Sequence, residues 1–314
     1  MSSINLSKVV LLLLLMSGCS SKNSVWKSLF NGEDLSGWDT YLGPGYDSVM
    51  KVWDTIPIGL NADPKNVFDV VKEGSGKVIR ISGENFGGIS TTMEFENFHL
   101  QLQFRWGILK WPPRKNAKKD SGIMYCAVGP HGADGGFWMR SHEFQIQEGD
   151  CGDYWGCAGA IFDVKAKMNP DSTFVYDKDG DQFTFSTTSP TGRRCIKFPD
   201  AEKPEGEWNT VDLYCFGGTS VHILNGVVVM MLQNSRQMDG DKEFPLVRGK
   251  IQIQSEGSEV FYRDIKISSI DKLPENILSI SSSSYPIKAE IAGRYLLQPL
   301  HLRTSIQILF DPLH

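Results

Sequence analysis

The stretch "NFHLQLQFRW", residues 97–106, decides the fold class because apolar and polar side chains alternate along it. Its apolar positions are Phe98, Leu100, Leu102, Phe104 and Trp106, and its polar positions are His99, Gln101, Gln103 and Arg105. A period of two places the two sets on opposite faces of a β-strand. The stretch therefore predicts a strand with one face in a hydrophobic core.

Similar short runs, separated by Gly, Pro, Asn or Asp, continue to about residue 270, whereas helical periodicity is rare. One run, "WNTVDLYCFGGTSVHILNGVVVMML" at residues 208–232, contains Asn225-Gly226, a strong hairpin signal because both residues accept positive φ. We predict an all-β sandwich of two antiparallel sheets. Two long connections, residues 110–120 and 129–140, are expected to form the rim of a binding site.

The composition excludes nucleic acid as a partner and leaves a carbohydrate ligand open. The chain has 314 residues and a net charge of −5, with its basic residues scattered, so it lacks the basic patch expected of a nucleic-acid-binding protein. Its 8 Trp, 17 Phe and 9 Tyr residues suit β-strands and sugar-binding clefts alike.

The N-terminus predicts export. Lys8 precedes an apolar run at residues 9–16, which is shorter than the roughly 20 residues that cross a bilayer and fits a secretory signal. The following Ser17-Gly18-Cys19 resembles a bacterial lipobox. We predict a signal peptide at residues 1–18 and a lipid anchor on Cys19, which would hold the protein to a membrane in the periplasm or at the outer membrane or cell surface. The alternative is a plain signal peptide that contains a cysteine.

The predicted domain organisation follows from these boundaries. Residues 19–25 form a tether, residues 26–270 form one domain, and residues 271–314, with a serine run, form a C-terminal extension of unknown role. Cys151 and Cys157 flank a Gly-rich loop and are candidates for a disulfide in an oxidising compartment. Cys126 and Cys215 lie on apolar strands and are expected in the core.

Three predicted strands carry similar polar rows. The rows are Gln101, Gln103 and Arg105; Glu143, Gln145 and Gln147; and Gln252, Gln254 and Glu256. Amides and guanidinium groups suit ligands that offer many hydroxyls and little charge. We expect the rows to form one concave wall that binds a carbohydrate, although each row taken singly also fits an ordinary solvated strand face.

Candidate auxiliary residues flank these rows. Those expected to stack on a sugar ring are Trp111, Trp138, Tyr154 and Trp155. By alternation Trp106 and His142 fall on the core side, whereas His131 lies in a Gly-rich loop and is free to titrate. Asp150 and Asp153 follow the second row, where they are candidates for acids, cation ligands or loop caps.

Four blocks of sequence, taken in order, resemble the hallmark blocks of the 3-keto-disaccharide hydrolase family. They are "LFNGEDLSGWDTY" (29–41), "HEFQIQEGD" (142–150), "GEWNTVDLYCFGGTSVHILNGVVV" (206–229) and "GKIQIQSEGSEVFYRDIKI" (249–267). The family is also described as 3-keto-glucoside-1,2-lyases and 3-keto-2-hydroxy-glucal hydratases. The resemblance spans roughly residues 26–270, and it implies a concanavalin-like jelly-roll sandwich and, often, a lipoprotein.

The resemblance also implies site residues. Glu143 and Gln145 match the family's acid-x-amide strand, Gln254 and Glu256 match a second strand, and Arg263 matches the arginine of the closing strand, although Asp264 stands where asparagine is commoner. The insertions at residues 110–120 and 129–140 leave the identity of the substrate open.

The implied reaction is elimination from a 3-keto-glycoside, followed by addition of water. It needs a base near C2, an acid at the leaving oxygen and a group that stabilises the enolate. Glu143 is the candidate base or acid, and Glu256 or His131 is the second group. Groups expected to orient the substrate are Arg105, Gln145, Gln147 and Gln254. A divalent cation on the enolate oxygens is chemically sensible, with Asp150 and Asp153 as candidate ligands.

Two other functions fit the same fold. A non-catalytic carbohydrate-binding module needs the aromatic and amide groups but no titrating carboxylate. A conventional β-glucanase needs two carboxylates that flank C1. The glucanase is the less favoured of the two because the chain has no E-x-D-x-E strand.

Overall fold

The computed structural model describes residues 25–277. The predicted signal peptide, the lipidation site Cys19 and residues 278–314 of the predicted extension lie outside the described residues. No helix within residues 25–277 is long and apolar enough to cross a membrane.

The described chain is built almost entirely of strands. Their bounds are β1 Lys27–Ser28, β2 Trp38–Asp47, β3 Val52–Leu60, β4 Phe68–Glu73, β5 Gly76–Ile81, β6 Gly87–Thr91, β7 Phe95–Glu96, β8 Phe98–Lys110, β9 Asp120–Val128, β10 Arg140–Gln147, β11 Tyr154–Cys157, β12 Ala160–Met168, β13 Phe174–Tyr176, β14 Asp181–Phe185, β15 Arg194–Cys195, β16 Asn209–Phe216, β17 Thr219–Leu224, β18 Val227–Asp239, β19 Lys242–Pro245, β20 Arg248–Ser255 and β21 Ser258–Ser269. A short helical turn at residues 275–277 follows.

The strands form two antiparallel sheets. The first has the order β13-β12-β18-β17-β16-β8-β21-β5-β4, with β1, β14 and β19 paired at its sides. The second has the order β15-β11-β10-β9-β20-β6-β2-β3, with β7 beside β20. The predicted all-β jelly-roll sandwich of two antiparallel sheets is confirmed.

The core lies between the two sheets and follows the alternation of the sequence. Leu100, Leu102 and Phe104 of β8 have no exposed surface, as do Phe144 and Ile146 of β10. Since each strand gives one face to this core, the polar rows of β8 and β10 lie on the outer faces of different sheets. Trp106 is buried, as its position in the alternation predicts.

The residues that follow β21 continue to pack on the sandwich. Leu273 and Ile277 are buried against Val221 and Ile223 of β17. They cover the outer face of the first sheet, beyond the boundary predicted at residue 270.

The five cysteines between residues 25 and 277 are buried free thiols, so the candidate disulfide between Cys151 and Cys157 is not formed. The Cys151 thiol donates to the backbone oxygen of Gln147 at 3.3 Å, whereas the Cys157 thiol donates to Oε2 of Glu143 at 3.6 Å. The two sulfurs have different partners because Cys151 belongs to the core cluster and Cys157 lies beside Glu143. Cys126 and Cys215 are core residues, as predicted.

Two fully buried histidines form hydrogen bonds from one sheet to the other. His222 accepts a hydrogen bond from the Tyr125 hydroxyl at 2.9 Å through Nε2, because its Nδ1 donates to the Gly152 oxygen at 3.0 Å. His142 lies 2.7 Å from the Ser235 hydroxyl and 3.1 Å from that of Tyr154, and its burial is as predicted. Burial lowers the pKa of His222 to about 4 and that of His142 well below its usual value.

We predict that the fold weakens as the pH falls. Between the ordinary histidine pKa of about 6.5 and the lowered pKa of the buried ring, only the unfolded chain takes up a proton, so stability is lost as pH drops through this window. For His222, with a pKa of about 4 in the fold, the loss is roughly 3 kcal/mol. Urea unfolding followed by circular dichroism from pH 7 to pH 4 measures it. His222→Gln should give a flatter pH dependence, and an unchanged slope in that variant would contradict the assignment.

Candidate active site

Two of the three predicted rows share one surface. The strand order β10-β9-β20 places the rows of β10 and β20 on either side of β9 in the second sheet. Because Phe144 and Ile146 face the core, Glu143, Gln145 and Gln147 face outward. Gln254 of β20 points to the same side, and Glu256 follows at the end of that strand.

Loops cover this surface and enclose a cavity of about 250 Å³. It is comparable to the smaller ligand sites of proteins, which begin at about 300 Å³. The lining residues are Arg114, Asp120, Asp134, Trp138, Glu143, Gln145, Gln147, Trp155, Arg193, Gln254 and Glu256. The two long loops predicted to form the rim contribute Arg114, Asp134 and Trp138, and the connection between β14 and β15 contributes Arg193.

Gly122 of β9 lets the two rows approach each other. A side chain at this position would begin 2.2 Å from Oε1 of Glu143 and 2.9 Å from Oε1 of Gln254. The carboxyl group from β10 and the amide from β20 therefore meet over a strand position that has no side chain. Neither of these two oxygens has a hydrogen-bond partner within residues 25–277.

Asp120 is a carboxylate of the cavity that is held by amide groups and an arginine. It is buried at the start of β9, and it accepts hydrogen bonds from Gln145 Nε2 at 2.9 Å and from Gln147 Nε2. Arg114 forms an ion pair with Asp120 and, through Nη1, lies 3.4 Å from Oε1 of Glu256. Arg114 therefore links two carboxyl groups.

Three carboxyl groups of the cavity hold protons more tightly than usual. Burial raises the pKa of Asp120 to about 7, against the opposing effect of Arg114. Burial, reinforced by the charge of Asp120, raises the pKa of Glu143 to about 8. The pKa of Glu256 is raised well above its usual value by burial and then by Asp120. Because neighbouring negative charges oppose one another, the three groups cannot all ionise easily at neutral pH.

The far side of the cavity combines an ion pair with two indole rings. Arg193 Nη1 lies 3.0 Å from Oδ2 of Asp134, and its guanidinium lies 5.2 Å from the centre of the Trp155 ring. The Trp155 Nε1 group is buried without a partner among residues 25–277, whereas Trp138 Nε1 donates to the Gly87 oxygen at 3.0 Å. Buried polar groups are normally hydrogen-bonded. Unpartnered groups on Glu143, Gln254 and Trp155 in one cavity therefore indicate a binding site for a polar ligand.

A family model for the 3-keto-alpha-glucoside-1,2-lyase-like domain matches residues 25–268. This chain belongs to that family. The chain is 24% identical to a 3-keto-disaccharide hydrolase of Bacteroides thetaiotaomicron over 274 residues, which cover 78% of each protein. Family membership classes it among carbohydrate-active enzymes of the glycosidase type.

The chain is also similar to solved structures, at low sequence identity. A candidate glycosyl hydrolase from Parabacteroides distasonis is 18% identical, with a TM-score of 0.44 and coverage of 78% of this chain and 94% of that one. A β-glucanase from Bacillus licheniformis is 10% identical, with a TM-score of 0.37 and coverage of 80% and 99%.

The predicted wall is smaller than expected, because the row of β8 belongs to the other sheet of this lyase-like domain. Arg105 and Arg263 lie on β8 and β21 of the first sheet, outside the cavity. Their guanidinium groups lie 5.2 Å and 4.0 Å from the centre of the Trp208 ring. Arg105 also pairs with Glu73 at 2.8 Å, and Arg263 donates to Gln103 at 2.8 Å. The prediction of one wall that includes this row is therefore wrong.

Three of the predicted auxiliary residues also lie outside the cavity. Tyr154 has no exposed surface and packs in the core, because it neighbours Trp155 on a strand and adjacent residues face opposite sides. His131 does not line the cavity and stacks on Tyr41 at 5.2 Å between ring centres. Trp111 lies on the opposite side of its loop, where its Nε1 donates to the Ser82 oxygen at 3.0 Å.

The two candidate cation ligands do not fit a divalent ion. Asp153 is buried and accepts hydrogen bonds from the Arg194 guanidinium at 2.6 Å and 2.8 Å and from the Lys197 backbone at 2.9 Å. Asp150 pairs with Lys118 at 2.8 Å. Across residues 25–277 no group of three or more His, Cys, Asp or Glu side chains is arranged to hold a metal ion.

Sequence reasoning missed Asp120, Arg114, Arg193 and Asp134. The signal available for the first two was their position in the basic loop that had been predicted to line a site. Asp134 lies in the other loop predicted to form the rim, so the same signal was available for it. Arg193 lies between β14 and β15 and reaches the cavity only through long-range folding, so no local pattern identifies it.

We predict that the charge of Glu143 destabilises the fold as the pH rises. Between the ordinary pKa of 4.5 and the raised pKa of about 8, the folded protein keeps the proton that the unfolded chain releases, so stability falls through this window. Glu143→Gln removes this effect. In the wild type the free energy of unfolding should be lower at pH 8 than at pH 5. Glu143→Gln should shift the balance towards pH 8 by at least about 1 kcal/mol relative to the wild type, as measured by urea unfolding at both pH values.

The matched control for this measurement is Glu94→Gln. Glu94 lies on the surface, where it pairs with Arg248. Its replacement should give no gain that grows with pH. An equal gain in both variants would show that the effect does not come from the cavity.

Proposed function

We propose that this protein cleaves 3-keto-glycosides by elimination across C1 and C2, followed by hydration. The observation that carries the proposal is the cluster of three buried carboxyl groups with raised pKa values in one cavity, beside two guanidinium groups. The family and the Bacteroides relative, which is named for hydrolysis of 3-keto-disaccharides, support this class of substrate.

The chemistry begins at the hydrogen on C2. A ketone at C3 makes this hydrogen acidic, because its removal gives an enolate. The C1–O bond to the leaving group then breaks, a C1=C2 double bond forms, and the leaving oxygen takes a proton. In the second step the oxygen of water adds to C1 and a proton returns to C2.

Glu143 is the proposed base and Glu256 the proposed acid. Oε1 of Glu143 is unpartnered, and a base works best when its pKa is near the working pH, which a pKa of about 8 satisfies. The pKa of Glu256 is raised well above its usual value by burial and by Asp120, which favours the protonated form that can donate to the leaving oxygen.

The remaining polar groups orient the substrate and stabilise negative charge. Asp120 is held by two amides and Arg114, so it fixes those groups and is not free to act on the substrate itself. Arg114 and Arg193 supply positive charge for the enolate oxygen, and this attraction is stronger at a partly buried site than in water. Trp138 and Trp155 supply apolar surface for the sugar ring.

The same cavity argues against a purely carbohydrate-binding module. Such a module needs hydroxyl-binding amides and aromatic rings, but gains nothing from burying several carboxyl groups that resist ionisation. Strongly raised carboxyl pKa values in a cleft are more typical of catalytic sites.

The test compares a 3-keto-disaccharide with its unoxidised parent in H₂O and in D₂O. We expect turnover of the keto sugar alone, with deuterium from solvent at C2 of the product beyond the exchange seen without enzyme. Glu143→Gln should lower kcat by roughly 10² to 10⁴ while substrate binding is retained, the usual range for loss of a general base. Binding is measured by calorimetry.

Glu94→Gln is the control and should keep full activity, because Glu94 lies on the surface beside Arg248. Cleavage of the unoxidised sugar without solvent deuterium at C2 would contradict elimination and favour a conventional glycosidase. Binding of both sugars with no turnover of either would favour a binding module.

We also propose that the protein is exported and anchored through Cys19. The apolar run at residues 9–16 and the lipobox-like Ser17-Gly18-Cys19 support this. In a bacterial host, the full chain should take up labelled fatty acid and fractionate with membranes, whereas Cys19→Ala should be unlabelled and leave the membrane fraction. Equal labelling of Cys19→Ala would overturn the proposal.

A further inference from the structure

A thiol that the proposed reaction does not use lies against the proposed base. Sγ of Cys157 donates to Oε2 of Glu143 at 3.6 Å, and Cys157 is buried and is not among the residues that line the cavity. The other carboxyl oxygen, Oε1, has no partner within residues 25–277 and lies over Gly122, beside Gln254. The two oxygens of Glu143 therefore differ, because one is held by sulfur and the other is free.

The pairing of β10 with β11 brings this thiol to the carboxyl group. Glu143 is opposite Trp155 across the two strands, and Ser141 is opposite Cys157. Trp155 and Cys157 are two residues apart on β11, so both lie on the same face of the sheet as Glu143. The contact is thus set by the register of two strands.

Hydrogen bonds fix the end of β11 that carries the thiol. The backbone N–H of Ala158, the next residue after Cys157, donates to Oδ1 of Asp134 at 3.0 Å. The backbone oxygen of Ala158 accepts a hydrogen bond from Arg140 Nε at 2.8 Å. Because the neighbouring peptide groups are bonded, the sulfur has little freedom to move away from Glu143.

A thiol suits this position because it is a weak donor. A hydrogen bond to the charged form of a carboxyl group lowers its pKa, and a strong donor lowers it most. The thiol orients Glu143 while burial keeps the pKa of this carboxyl group raised, at about 8. Burial and the charge of Glu143 raise the pKa of Cys157 well above its usual value, so the sulfur keeps its proton and stays a donor.

Charged side chains from other elements share the cavity with Glu143. They are Asp120, Asp134, Glu256, Arg114 and Arg193. After burial, the charges of Asp120 and Asp134 raise the pKa of Glu143, whereas that of Arg193 lowers it. A substitution at Cys157 changes none of these groups, so a comparison of Cys157 variants isolates the effect of the sulfur.

We propose that Cys157 is a positioning residue of this active site. Its thiol holds Oε2 of Glu143 and so leaves Oε1 as the oxygen that takes the proton from C2 of the substrate. This inference rests on the proposed function, in which Glu143 is the base. The thiol forms no bond to the substrate and keeps its own proton throughout.

The test removes the donor and follows the pH dependence of turnover. Because the base acts in its ionised form, kcat for a 3-keto-disaccharide rises with pH through the pKa of Glu143. Cys157→Ala removes a donor to the carboxylate, so it should move this rise to higher pH by about half a unit to one unit, as for loss of one ordinary hydrogen bond. The same shift lowers kcat at pH 7 about threefold to tenfold, with KM little changed. Cys157→Ser restores a donor and should return the profile towards that of the wild type.

A second readout needs no turnover. In protein labelled with carbon-13 at the glutamate side-chain carboxyl, NMR follows the ionisation of Glu143, whose signal is the one missing from Glu143→Gln. Its midpoint should move upward in Cys157→Ala by the same amount. Cys215→Ala is the matched control, because that buried thiol lies on β16 of the first sheet beside Ser220. It should keep the midpoint and the pH profile of the wild type.

Turnover by the wild type, with the same midpoint in Cys157→Ala, would overturn the role of Cys157 alone. An equal loss of kcat in Cys157→Ala and Cys157→Ser without any change of midpoint would also overturn it, because the sulfur would then act only in packing. If the midpoint moves but the wild type turns over no keto sugar, the proposed function fails and the catalytic role of Cys157 fails with it, while the effect of the thiol on Glu143 stands.

Discussion

The burial of Asp120, Glu143 and Glu256 around the guanidinium of Arg114 is the constraint on which the site depends. Taking a carboxylate out of water is unfavourable unless a positive charge or a proton compensates it. Arg114 pairs with two of the three groups, and the rest of the penalty appears as raised pKa values. This arrangement destabilises the folded protein, but it also supplies groups that can donate or accept protons near neutral pH.

The sandwich makes this arrangement possible because its strands are rigid and because successive side chains on a strand point to opposite faces. Glu143 lies between residues that face a close-packed core, so its carboxyl cannot easily move away from its neighbours. Gly122, on the strand between the two rows, leaves the space in which Glu143 and Gln254 converge. Catalytic geometry held on strands is more precise than geometry held on loops.

The sequence pattern predicted much of the fold and part of the site, for a physical reason. Alternation is a local property, so it identified the rows on β10 and β20 and the buried positions of Trp106 and His142. Which strands become neighbours is decided by long-range pairing, so the similar row on β8, with Arg105, was assigned to the wrong surface. The same alternation would have separated Tyr154 from Trp155, since adjacent residues on a strand cannot share a face.

Most of the residues that the sequence pattern did not identify lie on the loops around the cavity. The strands supply Glu143 and the amides around it, whereas the loops supply Arg114, Asp134 and Arg193 to the cavity. Loops change more freely than the strands that carry them, because few core contacts depend on them. The loop at residues 110–120 supplies Arg114, which pairs with Asp120 and Glu256, so a change in its charge would alter the ionisation of both carboxyl groups. The ionisation of carboxyl groups at the ends of two strands therefore depends on a residue that a loop supplies.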